Sequence, residues 1–106
     1  MTDPEINSSN SGAAAIIDSR LVLSSTLTIN ESSALKQQML KLMTTPAPYE
    51  IDATAVERID ASAVQILVAF SLDCLEQGAS FKWSGRSEVL DQTLELLGVS
   101  SLVESP

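Results

Sequence analysis

No histidine occurs in the 106 residues of this chain. Ser–His nucleophilic catalysis needs an imidazole as base, and the His-containing zinc sites need one as ligand, so both are excluded. Cys74 is the lone cysteine, and no internal disulfide can form. Its position inside an apolar helical run reads as core and agrees with a reducing cytoplasm. Basic residues are scarce as well: six Lys and Arg stand against fourteen Asp and Glu, a formal net charge of −8. The six make no patch. Phosphate backbones and anionic membranes attract cations, so neither nucleic acid nor a membrane surface is an expected partner. No stretch is apolar enough to span a bilayer, and the first residues lack the basic start and apolar run of a secretory leader. A glycine-rich phosphate loop is missing too, which makes a nucleotide or small-molecule binder the weakest of the function classes. No metal or cofactor is expected.

What remains is a chain with 44% hydrophobic residues and only 4% aromatics. That is enough for one small domain whose core is built from Leu, Ile, Val and Ala. Residues 1–15 are small and polar around Ser8-Ser9-Asn10-Ser11-Gly12 and read as a flexible N-terminal arm; residues 16–106 read as the single domain.

The hydrophobic period changes several times along the domain. Ile16-Ile17 and Arg20 to Leu23 read as strands, with a hairpin across Asp18-Ser19. Thr26 to Ile29 alternates and reads as strand. Asn30 opens a helix with Leu35, Met39, Leu42 and Met43 at helical spacing, and Pro46 and Pro48 bar its continuation. Tyr49 to Ala53 alternates strictly, a strand. Thr54 to Ile59 is a connection of mixed character. A second helix runs from about Ser62 to Glu76, with Gly78 where a C′ glycine belongs. Phe81 and Trp83 share one face of a further strand, and Gly85 turns the chain. Ser87 to Leu97 is a third helix, and Val99 to Val103 a short last element. Strands alternating with helices of this length imply right-handed crossovers and an α/β fold with a mixed, largely parallel sheet, its helices mainly on one face.

Two places carry the functional question. Glu50, Asp52 and Asp60 offer carboxylates, but they alternate with apolar positions and read as strand-end and turn residues, not as an acid–base pair. Ser62 falls at the start of the second helix, among backbone N–H groups that lack intrahelical partners. A serine oxygen there caps the helix; a phosphate there would be held by several N–H groups and by the helix dipole. The helix itself shows two apolar stripes. Val64, Leu67, Val68, Leu72 and Leu75 form one, which reads as ordinary core. Ala63, Ile66, Phe70 and Cys74 form the other, which either packs on a neighbouring helix or stays partly exposed for a partner.

The order and spacing of these pieces resemble a STAS domain, the fold of bacterial anti-sigma factor antagonists and of the tails of sulphate transporters. The resemblance runs from about Leu21 to Val103. It rests on the strand Ile51-Asp52-Ala53, the approach Val56 to Asp60, the stretch Ser62 to Leu72, the strand Phe81 to Gly85 and the closing Leu97-Gly98-Val99. In such antagonists a serine in the turn before the second helix is phosphorylated by a partner kinase and restored by a phosphatase; Ser62 matches that serine and Asp60 the acid before it. The usual turn, Asp-Ser-Ser-Gly or Asp-Thr-Ser-Gly, is here Asp60-Ala61-Ser62-Ala63. The resemblance therefore implies a non-enzymatic, cytoplasmic interaction module that binds an anti-sigma factor or related serine kinase, with Ser62 as phosphorylation site and Asp60, Ala61, Ser62, Ala63, Ile66 and Phe70 as contact surface. Family members also serve as subunits of lipid-transport ABC complexes, where the same turn grips the ATPase subunit; that is the alternative.

Overall fold

The structure is a computed structural model and describes residues 12–103. Its elements are strands β1 (Ala14–Ile17), β2 (Arg20–Leu23) and β3 (Thr26–Leu27), helix α1 (Ile29–Leu42), strands β4 (Tyr49–Ala53) and β5 (Arg58–Ile59), helix α2 (Ala61–Gln77), strand β6 (Phe81–Arg86), helix α3 (Glu88–Leu96) and a 3-10 helix (Ser100–Val103). The main sheet has the order β1-β2-β4-β6. Its first pair is antiparallel and the other two are parallel. β3 and β5 form a separate parallel pair.

Alternation along the strands divides the sheet into two faces. Leu21, Leu23, Tyr49, Ile51, Ala53 and Phe81 are buried and join Leu35, Leu42, Leu67, Leu90 and Leu94 from the helices in one core. Phe70 stands between Tyr49 and Phe81, with ring centroids 6.0 Å and 5.4 Å away. On the opposite face Arg20 reaches Asp52 at 2.8 Å and Glu50 at 3.3 Å. So Glu50 and Asp52 are partners of an arginine on a strand surface, which is what their alternation with apolar residues requires.

Four local readings need correction. Ala13 and Ala14 are buried and β1 starts at Ala14, so the domain reaches further back than residue 16. The rest of the expected arm, residues 1–11, lies outside the described residues. Ile29 belongs to α1 and not to a strand, because Thr28 takes the cap position and Glu31 reaches back to it. The connection Thr54 to Ile59 contains the short strand β5, too brief for a period to register. Gly85 lies within β6 and does not end it.

Gly85 is there for a packing reason. Ile51 pairs with Trp83 but Asp52 pairs with Gly85, so Ser84 is the extra residue of a bulge. A Cβ on Gly85 would run into the Thr54 hydroxyl. That hydroxyl is tied to Asp52 Oδ1 at 2.7 Å and cannot simply swing away. Gly85→Ala is therefore expected to cost about 1–3 kcal/mol, the range of an overpacked site. Adding Thr54→Ala should recover most of that loss. Denaturant unfolding of both single variants and the double variant checks it; strictly additive effects would refute the collision.

Candidate functional site at the paired helix starts

β3 and β5 are parallel and in register, Thr26 beside Arg58 and Leu27 beside Ile59. Each is followed at once by a cap residue and a helix: Thr28 before α1, Asp60 before α2. The two helices thus begin side by side at the same level. Their unpaired N–H groups point into one small region, and the positive ends of both helix dipoles lie there together.

Asp60 fills that region. Its backbone is extended, with φ −120° and ψ −179°. One carboxylate oxygen, Oδ1, accepts from the N–H groups of Ser62 (3.1 Å) and Ala63 (3.3 Å) and from the Ser62 hydroxyl (2.6 Å). The other, Oδ2, accepts from the N–H of Ile29 at 2.8 Å. One side chain caps its own helix and accepts with its second oxygen from the neighbour's first turn. Beside it the Glu31 carboxylate accepts from the Thr28 N–H (2.8 Å) and hydroxyl (2.7 Å). The Ser62 hydroxyl, with the N–H groups of Ala63, Ile29 and Ser62, holds the Asp60 carboxyl below the usual carboxylate value against an opposing effect of burial. Glu31 is held low by the Thr28 N–H and hydroxyl, with the nearby Asp60 charge opposing weakly.

Ser62 is therefore not the cap. It is the second residue of α2, and its hydroxyl donates to Asp60 where a cap would accept. A carboxylate is the stronger acceptor for an N–H, and Asp60 stands one residue before the helix, where its backbone is free to be extended.

The core takes part of each stripe on α2: Val64 and Leu67 of the first are buried as expected, and so are three residues of the second. Ala63 and Phe70, 0% and 3% exposed, sit in the core with Cys74, whereas Leu72 and Leu75 are 47% and 67% exposed. Ala63 and Phe70 thus offer no surface to a partner. Ile66 is half-buried and does: with Ala69 and Asp73 it faces Lys36 and Leu40 of α1, and Met43 just after it, across a shallow groove. Ser62 stands four residues before Ile66 on that same side of α2. Among the expected contact residues the structure brings together Asp60, Ala61, Ser62 and Ile66 and withdraws Ala63 and Phe70. Ile29, Glu31 and Leu40 belong to the region and were missed; Thr28-x-x-Glu31 is a capping-box pattern that could have pointed to the first two. Burial pushes the Cys74 thiol up to about 11, so it is no nucleophile at neutral pH. Among the described residues no group of acids and cysteine is arranged to hold a metal ion, and no helix is long and apolar enough to cross a membrane.

Because Asp60 has a lowered pKa in the folded chain, its stabilising effect is complete above its ordinary value of 3.8 and is lost as pH falls through the lower folded value. Asp60→Asn keeps a capping oxygen for α2 but loses the charge and the bond to Ile29. The Tm gap between wild type and Asp60→Asn should be widest near neutral pH and narrow below pH 3.8. Thermal melts across pH check this; a gap that does not change with pH would show that the charge contributes nothing.

No curated protein matches the chain by sequence. Among solved structures, it is similar to a Thermotoga maritima protein assigned as an anti-sigma factor antagonist. The two share a TM-score of 0.63 and 18% identity over 86% of this chain and 81% of that one, a likeness of fold. The family model described as "Mlab, STAS domain" matches residues 13–104. That span takes in every strand and helix described above, including both helix starts and Asp60, and the chain belongs to the STAS domain family.

Proposed function

We propose that this chain is a non-enzymatic regulatory module of the anti-sigma factor antagonist type, working in the cytoplasm. In this reading it binds an anti-sigma factor or related serine kinase through the paired helix starts and the groove beside Ile66. Phosphorylation of Ser62 by that kinase breaks the contact, and a phosphatase restores it. The observation that carries the reading is the bond from Ser62 Oγ to Asp60 at 2.6 Å. It puts a modifiable hydroxyl beside the carboxylate that joins two helix starts.

The physical effect of modification follows from that bond. A phosphate on Ser62 brings close to two negative charges. It arrives where Asp60 Oδ1 already occupies the N–H groups of Ser62 and Ala63. Two anions then compete for one set of donors. The partner surface must desolvate both, and Asp60 is pushed away from Ile29. A loss of a few kcal/mol in binding, about a hundredfold or more, suffices to release a partner.

A second reading is a constitutive subunit of a lipid-transport ABC complex that grips the ATPase subunit. It is favoured by the turn itself. Ala61 leaves Ser62 as the turn's one hydroxyl, Ala63 stands where the usual turn has glycine, and that hydroxyl is already engaged by Asp60.

The Ser62 variants test the first reading against the second. Ser62→Ala loses a hydroxyl bond and no cap, so it should cost less than about 1 kcal/mol and bind the partner within about threefold of wild type. Ser62→Asp sets a second carboxylate against Asp60 and should be the less stable of the two at low salt, the gap closing as salt screens it. It should bind the partner about a hundredfold more weakly. Calorimetry against the partner recovered from the source cell, with mass spectrometry for phosphate on Ser62, measures both. Equal affinity of Ser62→Asp and wild type, with no phosphate found, would set aside the switch in favour of the constitutive role.

A further inference from the structure

The groove between α1 and α2 holds two charges that the domain leaves unused. The helices start side by side at Asp60, so they run the same way and present two stripes to each other. Lys36, Leu40 and Met43 line the α1 side; Ile66, Ala69 and Asp73 line the α2 side. Each set is at helical spacing. Leu40 is 56% exposed, Met43 and Ile66 are half-buried, and Lys36, Ala69 and Asp73 are exposed. Ion pairs elsewhere in the domain engage Arg20 and Arg86. The side chains of Lys36 and Asp73 have no ion pair or hydrogen bond among the described residues. One wall of the groove thus carries a free cation, the other a free anion, and the floor between them is apolar.

That arrangement is complementary to itself. A two-fold axis along the groove turns a second copy over onto the first, with α1 of each copy above α2 of the other. Each Lys36 then meets the wall that carries Asp73, and one operation makes both pairs. Leu40, Met43 and Ile66 are covered between the copies. The chain's own flanks cannot match both walls, since residues 1–11 and 104–106 contain no Lys or Arg to meet Asp73. The net charge of −8 opposes association at long range. Salt near 0.15 M screens that repulsion beyond about 8 Å and weakens a contact pair much less.

We propose that the groove between α1 and α2 is a self-association surface, at which two copies pair Lys36 of each with Asp73 of the other and bury Leu40 between them. In the proposed function the same groove serves the partner protein. A chain held in the dimer is then withheld from that partner, and this consequence alone rests on that reading.

Sedimentation of the full chain, from about 10 µM to about 1 mM in about 0.15 M salt, tests the proposal. The mass should rise toward that of a dimer. Lys36→Asp and Asp73→Lys, both at exposed positions, should each weaken the dimer at least about tenfold. Mixed in equal amounts, the two variants should pair again within about threefold of wild type, because an all-acidic groove then meets an all-basic one. Leu40→Lys should weaken the dimer about tenfold or more. Thermal melts that match wild type show that the variants are folded. A chain that stays monomeric at the highest concentration, or two charge variants that do not pair when mixed, would overturn the proposal. So would a dimer that Leu97→Lys or Ile17→Lys dissociates while the charge variants leave it intact, since another face would then be in use. These measurements use the chain alone, so their failure leaves the Ser62 switch standing, and loss of the switch leaves the dimer standing.

Discussion

Two short parallel strands fix the architecture of the functional end of this protein. β3 and β5 pair over two residues each, in register, and each leads straight into a helix. Parallel pairing means that both helices start at the same height, so their bare N–H groups are neighbours. Such a cluster of donors demands an anion, and Asp60 supplies it with both oxygens. Much of the local design answers to that demand. Thr28 and Glu31 complete the first helix start, the backbone of Asp60 is extended so that its carboxylate can reach across, and Ser62 turns its hydroxyl toward the same oxygen. The structural cap is seated among all of these donors, and any further negative group added there must contend with it.

Much of this was legible in the sequence and some was not, for separable reasons. Strict alternation at Tyr49 to Ala53 and helical spacing after Ser62 gave the strand and helix types directly, because period 2 and period 3.6 differ clearly over five or more residues. Gly78 was readable as a helix end and does take a left-handed φ of 70°. β5 could not be read, since two residues show no period. Asp60 and Ser62 are both good N-cap types, and only the backbone angles show that Asp60 is the cap.

The faces of α2 were misjudged for a deeper reason. Both stripes are apolar along the whole helix, so periodicity does not show where on that wide arc the core lies; it lies on the boundary, with Val64 and Leu67 from one stripe and Ala63, Phe70 and Cys74 from the other. The decision belongs to tertiary packing: Phe70 fits between Tyr49 and Phe81, and that aromatic stack rotates the helix so that Leu72 and Leu75 are left outside. Leu72 and Leu75 look more like core than Ala63 or Cys74, yet the side of the arc that carries the Phe70 ring, with its larger area to bury, takes the interior.

The bond from Asp60 to Ile29 joins residues 31 apart in the chain. Helix starts are usually completed by a residue within the same turn, so they form and fray on their own. Here Thr28 and Glu31 cap α1 locally, but the N–H of Ile29 takes an oxygen that arrives only when β5 lies alongside β3. Separating those strands removes an N–H partner from a helix that has already ended before β4 begins. The start of α1 and the placement of β5 are accordingly coupled through Asp60, so that loosening one removes a hydrogen bond from the other.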